Sequence, residues 1–232
     1  MRIDEIKRAM PDMLGTLGIG KSEFLRLVRD WMNHRSIYDY TISDDGTINV
    51  YDEVKIGGVE MEALPPYINF GEANNVFSVM HCGIKSLRGF PHTVKGIFNC
   101  SNNEMTDLIG GPGRVYGDYV CHSCRLTTLR GGPEWVKHSF NCSDNVLTSL
   151  VGGPSYVGAS YWANGNRLAD LRGLPGKITG RLSVSGNPLK SLDDLTDVRT
   201  VDAKDVDVSP DYMWERYGMY TVNGVTYVRN ED

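Results

Sequence analysis

The sequence lacks long hydrophobic runs and has no excess of positive charge. No stretch approaches the roughly 18 apolar residues that a membrane-spanning helix requires. The formal net charge is −5 at pH 7, so the chain as a whole gives no electrostatic reason to expect nucleic acid or an anionic membrane as a partner. With 232 residues, 41% of them hydrophobic, the composition is that of a globular protein with one large domain or two small ones.

The amino terminus also lacks the features of a signal peptide. Its first residues, MRIDEIKRAMPDMLG, are charged and contain no continuous apolar segment. We therefore expect a cytoplasmic protein. In a reducing cytosol the five cysteines should be free thiols.

Glycine, in contrast, is abundant, and its 26 residues are concentrated where the sequence repeats itself every 21 residues. The repeat is marked by leucines at Leu87, Leu108, Leu129, Leu150, Leu171 and Leu192. Prolines follow in register at Pro91, Pro112, Pro133, Pro154 and Pro175. Large apolar residues follow at Phe77, Phe98, Tyr119, Phe140, Tyr161 and Leu182. The unit is L-x-G-x-P-x-x-V-x-G-x-F-x-C-S-x-N-x-L-T-x, and such a period indicates a solenoid.

Each unit predicts one short strand followed by a tight return. The aromatic and small apolar positions alternate, which is typical of a strand with one buried face. An Asn after the strand, such as Asn103, can bond the backbone of the turn, and the Gly-Pro element favours a non-helical return. With a degenerate first copy at Val54, Ile56, Met61 and Leu64, about seven strands would stack into a parallel sheet about 30–35 Å long.

The predicted fold is therefore an α/β repeat solenoid with a leucine-rich-repeat-like parallel sheet over residues 54–200, capped at both ends. Residues 1–53 should form a helical cap and a hairpin that turns at Asp45-Gly46. Residues 201–232 should form a second cap with a hairpin at Asn223-Gly224. The residues predicted to pack in these caps are Ile3, Ile6, Met10, either Met13 or Leu14, Phe24, Leu27, Val28, Trp31, Tyr212, Met213, Trp214 and Tyr217.

The repeat array resembles leucine-rich-repeat-like proteins encoded by large tailed bacteriophages and some bacteria. Those proteins carry runs of the type F-x-C-S-x-N-x-L-T-S-L-x-G-x-P-x-x-V-x-G, and a hairpin like DDGTINVYDEVKI leads into their first repeat. The resemblance covers residues 38–195. It implies binding to another macromolecule and brings no catalytic residues with it.

Residues 15–22, GTLGIGKS, match the phosphate-binding loop pattern G-x-x-x-x-G-K-[ST]. A working loop of this kind follows a strand, whereas the preceding residues here favour a helix. The alternative is a turn between two helices, in which Gly15 or Gly18 ends the first helix and Ser22 caps the second. Nucleotide binding thus rests on this pattern alone.

The cysteines and histidines offer a second candidate for chemistry. Cys121 and Cys124 form a C-x-x-C pair, a spacing seen in zinc and redox sites. The 21-residue register favours a structural role instead, since Cys100, Cys121 and Cys142 occupy one inward position, and Cys82 and Cys124 replace the repeated Asn. His81 and His122 lie two repeats apart, about 10 Å, which is too far to share a metal. We expect no metal and no cofactor.

The outward positions of the predicted strand are the candidate binding surface. The surface is small, polar and nearly uncharged, with one tryptophan as a candidate anchor; the alternative is that Trp162 packs on its neighbours or on a cap. Its candidate residues are Trp162, Asn141, Val120, Asn99, His122, Asn164, Met80 and His81.

These features favour a non-enzymatic module that binds another protein. The resemblance to phage proteins implies that this partner is a protein of the bacterial host. The alternatives are a structural component of a virion or another assembly and, more remotely, nucleotide binding by the loop at residues 15–22. Neither nucleic acid nor membrane is expected as a partner, and a virion location is the alternative to the host cytoplasm.

Overall fold

A computed structural model describes residues 10–190, 192–203, 219–222 and 225–228. The chain begins with two helices, α1 (Met10–Leu17) and α2 (Lys21–Asn33). The strands that follow are β1 (Tyr40–Ile42), β2 (Ile48–Val50), β3 (Val54–Gly57), β4 (Phe70–Ala73), β5 (Phe77–Met80), β6 (Thr93–Val94), β7 (Phe98–Asn99), β8 (Arg114–Val115), β9 (Tyr119–Val120), β10 (Trp135–Val136), β11 (Phe140–Asn141), β12 (Tyr156–Val157), β13 (Tyr161–Trp162), β14 (Lys177–Ser183), β15 (Asp197–Asp202), β16 (Met219–Val222) and β17 (Val225–Val228).

The fold is a parallel β-solenoid of about seven turns. The sequence predicted one strand per repeat, but each complete turn contributes two. Ladder A contains β2, β4, β6, β8, β10, β12 and the first parts of β14 and β15. Ladder B contains β3, β5, β7, β9, β11, β13 and the last parts of β14 and β15. The aromatic strand predicted from the repeat is ladder B.

The core between the ladders repeats the same side chains in every turn. The repeated leucines and valines and the registered aromatic residues are buried. The rings of Phe98, Tyr119, Phe140 and Tyr161 follow one another with centroids 4.9, 5.5 and 5.1 Å apart. Such ring pairs contribute about 0.5–1.5 kcal/mol each beyond the area that they bury. Stacking on the next turn therefore stabilises every unit, as the short repeat requires.

The repeated asparagine joins neighbouring turns through the backbone, as the sequence predicted. The Asn145 amide nitrogen donates to the carbonyls of Cys121 and Cys142, both at 3.0 Å. Its amide oxygen accepts from the backbone N–H groups of Cys124 and Leu126, both at 2.9 Å. One buried side chain thus satisfies four buried backbone groups that the turn leaves outside the ladders.

The return that follows each repeated leucine depends on glycine. Gly131 has φ +78°, and a Cβ atom there would lie 2.5 Å from the Cα atom of Ile109 in the preceding turn. Gly173 has φ +100° and would place a Cβ atom 2.3 Å from the backbone nitrogen of Val151. Both the left-handed conformation and the close approach of the turns exclude a side chain at this position.

Antiparallel pairings close the sheet at both ends. β1 pairs with β2 across the turn at Asp45-Gly46, which confirms the first predicted hairpin. β16 pairs with β17 in the predicted register, and β17 also pairs with β15. The cap residues Ile3, Ile6, Tyr212, Met213, Trp214 and Tyr217 lie outside the described residues.

Helix α2 presents the apolar face that its periodicity predicts. Phe24, Val28 and Met32 are fully buried, and the Trp31 ring lies 6.0 Å from the ring of Phe70 in β4. The centroid of the Trp31 ring also lies 3.9 Å from the guanidinium carbon of Arg35. The helix therefore packs directly on the first turns of the solenoid.

Residues 15–22 join α1 to α2. Helix α1 directly precedes Gly18, which has φ +65°, and the Ile19 N–H donates to the Leu14 carbonyl in a helix-ending turn. The prediction that Gly15 or Gly18 ends the first helix is thus met by Gly18. The prediction that Ser22 caps α2 is wrong: the N-cap is Gly20, because α2 already begins at Lys21.

Candidate functional site

The predicted binding residues lie together on the outward side of ladder B, here called face B. Pairing in register places Asn99, Val120, Asn141 and Trp162 in one row across adjacent strands. Residues two positions further along the chain form a second row, which contains Met80, His122 and Asn164. All seven are half-buried, and His81 is exposed. Face B is therefore a continuous surface, but it is more recessed than the sequence suggested.

The serines of face B are buried although their positions point outward. Ser101 and Ser143 are only 1% and 4% exposed. The Ser101 hydroxyl donates to the Asn99 amide oxygen at 2.7 Å, and the Ser143 hydroxyl donates to the Asn164 amide oxygen at 2.7 Å. Because short hydroxyls bond their longer neighbours, the polar groups of face B are held in place by one another.

Trp162 is the largest side chain of face B and contacts a cation. The guanidinium carbon of Arg181 lies 5.6 Å from the centroid of its ring. Arg181 in turn forms an ion pair with Asp202, a carboxylate that is nearly buried in β15. The ring is thus half-buried against the next turn, and its position is fixed by a charged pair.

The histidines of face B belong to different parts of the turn. His122 lies in the second row, and its Nδ1 atom is 3.2 Å from the Ser123 hydroxyl. His81 has φ +53° and begins a column of left-handed residues that continues every 21 positions, through Asn102, Ser123, Asp144, Gly165 and Gly186. Within the described residues, no group of three or more His, Cys, Asp or Glu side chains is placed to hold a metal ion.

The cysteines occupy the two inward positions that the register predicted. All five are buried free thiols. The Cys124 thiol stands in the asparagine position and donates to the Cys100 carbonyl at 3.1 Å, and so reproduces one of the asparagine bonds. Burial raises the pKa of the Cys142 thiol to about 12 and raises the pKa of Cys121 well above its ordinary value. Such thiols are poor nucleophiles at neutral pH.

The most exposed aromatic residues of the array lie on the outward side of ladder A, here called face A. Tyr116 and Tyr156 are 40% and 45% exposed, and Trp135 between them is half-buried. Sequence reasoning missed these residues because no strand was assigned around the repeated valine. The available signal was the repeated valine itself, which marks one buried position in every turn.

No protein-family model, curated protein or solved structure matches this chain. Neither α1 nor α2, the helices within the described residues, has the length and apolar character needed to cross a bilayer. The class that the structure itself defines is the parallel β-solenoid.

Proposed function

We propose that this chain is a non-enzymatic module that binds a protein partner through the rigid surface of its solenoid. The observation that carries the proposal is the preorganisation of face B, where polar side chains are already fixed by hydrogen bonds such as Ser143 to Asn164. A surface that is ordered before binding avoids the entropic cost of ordering it in the complex. Trp162, fixed by Arg181, is the anchor of this surface.

The finer description of the fold belongs to the same proposal. The asparagine bonds and the buried leucines support a leucine-rich-repeat-like solenoid. The packing of Trp31 on Phe70 supports α2 as a cap that covers the first turns. The resemblance to repeat proteins of tailed bacteriophages supports a protein of the bacterial host cell as the partner.

The test is affinity capture from bacterial lysate followed by titration of the captured partner. We expect one specific partner, and we expect Trp162→Ala to weaken its binding by about 2 kcal/mol or more. Tyr38→Ala is the matched control, because Tyr38 is 69% exposed and lies outside both ladders. A circular dichroism melt of each variant separates lost affinity from lost stability.

Two results would contradict the proposal. Failure of the intact protein to retain any partner would remove the binding function itself. A captured partner whose affinity is the same for Trp162→Ala and for Tyr38→Ala would remove face B as the contact surface.

A further inference from the structure

Face A carries three aromatic rings that contact one another on the outside of three successive turns. The rings of Tyr116 and Trp135 lie 5.1 Å apart at an angle of 65°, and those of Trp135 and Tyr156 are stacked at 5.7 Å and 10°. Trp135 and Tyr156 are paired residues of adjacent strands. These three residues are called the aromatic patch. Because each ring supports the next, the patch is held in place without being covered.

A glycine, which has no side chain, leaves space at one edge of the aromatic patch. Gly158 lies two residues after Tyr156, on the same outward side of the ladder. A Cβ atom at Gly158 would come 3.3 Å from the Tyr156 hydroxyl oxygen and 2.0 Å from the Lys137 carbonyl oxygen. The absence of a side chain there leaves room for the Tyr156 ring beside the backbone.

The charges around the aromatic patch are not neutralised within the described part of the chain. Arg114 is paired in register with Trp135, and Lys137 lies two residues beyond it; both are exposed. No described carboxylate lies within ion-pair distance of either side chain. Exposed aromatic rings and unpaired cations are therefore found together at the centre of face A.

The two ends of face A differ from its centre. At one end Lys95 pairs with Glu72 at 3.5 Å, and at the other Lys177 pairs with Asp197 at 3.0 Å. Lys95 and Lys177 therefore each have a carboxylate partner within the chain. Next to the aromatic patch, a ligand that supplies carboxylates would find its complement at Arg114 and Lys137.

We propose that face A is a second docking surface, independent of face B, for a protein segment that carries carboxylates among apolar residues. Tyrosine, tryptophan and arginine are the residues that dominate binding energy at protein interfaces, and face A presents all three. Apolar side chains of the segment would pack against the aromatic patch, and its carboxylates would pair with Arg114 and Lys137. The two cations beside the aromatic patch suit a short acidic segment better than nucleic acid, whose binding draws on many cations.

The test is a selection of short random peptides displayed on particles against the full-length protein. We expect enriched peptides that combine Asp or Glu with aromatic or aliphatic residues. A synthetic peptide of the enriched sequence should bind at least about tenfold more weakly to Trp135→Ala and to the charge-reversed variant Arg114→Glu, Lys137→Glu. Its affinity should also fall as salt increases, because exposed charge pairs are screened.

The controls are chosen to keep the two faces and the fold apart. Lys177→Ala removes a cation of the same face that already has a partner, and Trp162→Ala removes the ring of face B; neither should change peptide affinity. The charge-reversed variant alters only exposed side chains, so it remains informative even if Trp135→Ala fails to fold.

Several outcomes would overturn the inference. These are enrichment of basic peptides or of none, equal affinity for Trp135→Ala and wild type, and stronger binding of single-stranded oligothymidylate than of acidic peptides. A dimer in sedimentation velocity that Trp135→Ala dissociates would assign face A to a second copy of the chain instead. If Trp162→Ala is the only variant that loses peptide binding, the peptide binds face B. The proposed function then stands, and the inference about face A is wrong.

Discussion

Replacement of one inter-turn asparagine, Asn145→Ala, tests the physical basis of the fold. The side chain is 7% exposed and joins the backbone of its own turn to that of the preceding turn. Its loss removes the acceptor for the backbone N–H groups of Cys124 and Leu126, which have no other hydrogen bond within the described residues. It also removes the donor to the carbonyls of Cys121 and Cys142.

The expected cost follows from the groups left unpaired. A buried backbone group that loses its hydrogen-bond partner costs about 1–3 kcal/mol, and an alanine side chain offers no partner in place of the asparagine amide. With two N–H groups affected and two carbonyls weakened, we expect the free energy of unfolding to fall by about 3–5 kcal/mol. Equilibrium unfolding in urea, followed by circular dichroism and tryptophan fluorescence, measures the change and shows whether the transition stays cooperative.

Two further variants, one at Asn145 itself and one at a nearby position, serve as controls. Asn145→Cys should cost less than Asn145→Ala, because the Cys124 thiol shows that a cysteine at this position donates to a neighbouring carbonyl. Asn141→Ala should cost about 0.5–1.5 kcal/mol, because on half-buried face B the Asn141 oxygen accepts one hydrogen bond, from the Ser143 N–H. The reasoning is refuted if Asn145→Ala is no less stable than Asn141→Ala.

Three further predictions concern the core and the turns. Gly131→Ala should lower the free energy of unfolding, measured by urea titration, by about 2 kcal/mol or more, because the residue has φ +78° and a Cβ atom there would clash with backbone. Gly113→Ala is the control: a Cβ atom at Gly113 meets open space, so the free energy of unfolding should change by less than about 1 kcal/mol. Tyr119→Phe should raise stability by up to about 1 kcal/mol at pH 7, because the buried hydroxyl has no partner among the described residues; a loss in the same titration contradicts this. The protein should also lose stability as pH rises from about 9 toward 12, because burial raises the pKa of the Cys142 thiol from an ordinary 9.0 to about 12. Below pH 9 the thiol is neutral in both the folded and the unfolded chain, and between 9 and 12 it ionises more readily in the unfolded chain, which lowers the free energy of unfolding. Melting temperatures across this range test the last point, and an increase with pH would contradict it.

The sequence predicted the inward half of the solenoid well, for a physical reason. Each turn must fill the same cross-section, so Leu108, Tyr119 and Asn145 recur at fixed spacing with their neighbours. Both hairpins were predicted from Asp45-Gly46 and Asn223-Gly224, because such turns depend on local sequence.

Ladder A was missed because its strands are too short to produce a pattern. Strands such as Arg114–Val115 contain two residues, and alternation needs four or more to be recognised. The burial of Ser101 was missed for another reason, since it depends on the neighbouring Asn99 side chain and not on the serine itself. Gly20 takes the N-cap position in place of Ser22 because the helix begins at Lys21, one residue before the preferred capping residue.

The outward positions differ between turns because the core places no demand on them, and that freedom separates the two faces. On face B, the variation yields short polar residues that bond one another, and its one large ring, Trp162, lies beside an arginine that Asp202 has already neutralised. On face A, the variation yields exposed rings, and the cation beside Trp135 is Arg114, which has no carboxylate partner among the described residues. A charged ligand gains most where a charge is exposed and unpaired, since an existing ion pair must first be broken. Face B is therefore suited to a partner recognised by shape and neutral hydrogen bonds, whereas face A is suited to one recognised by charge.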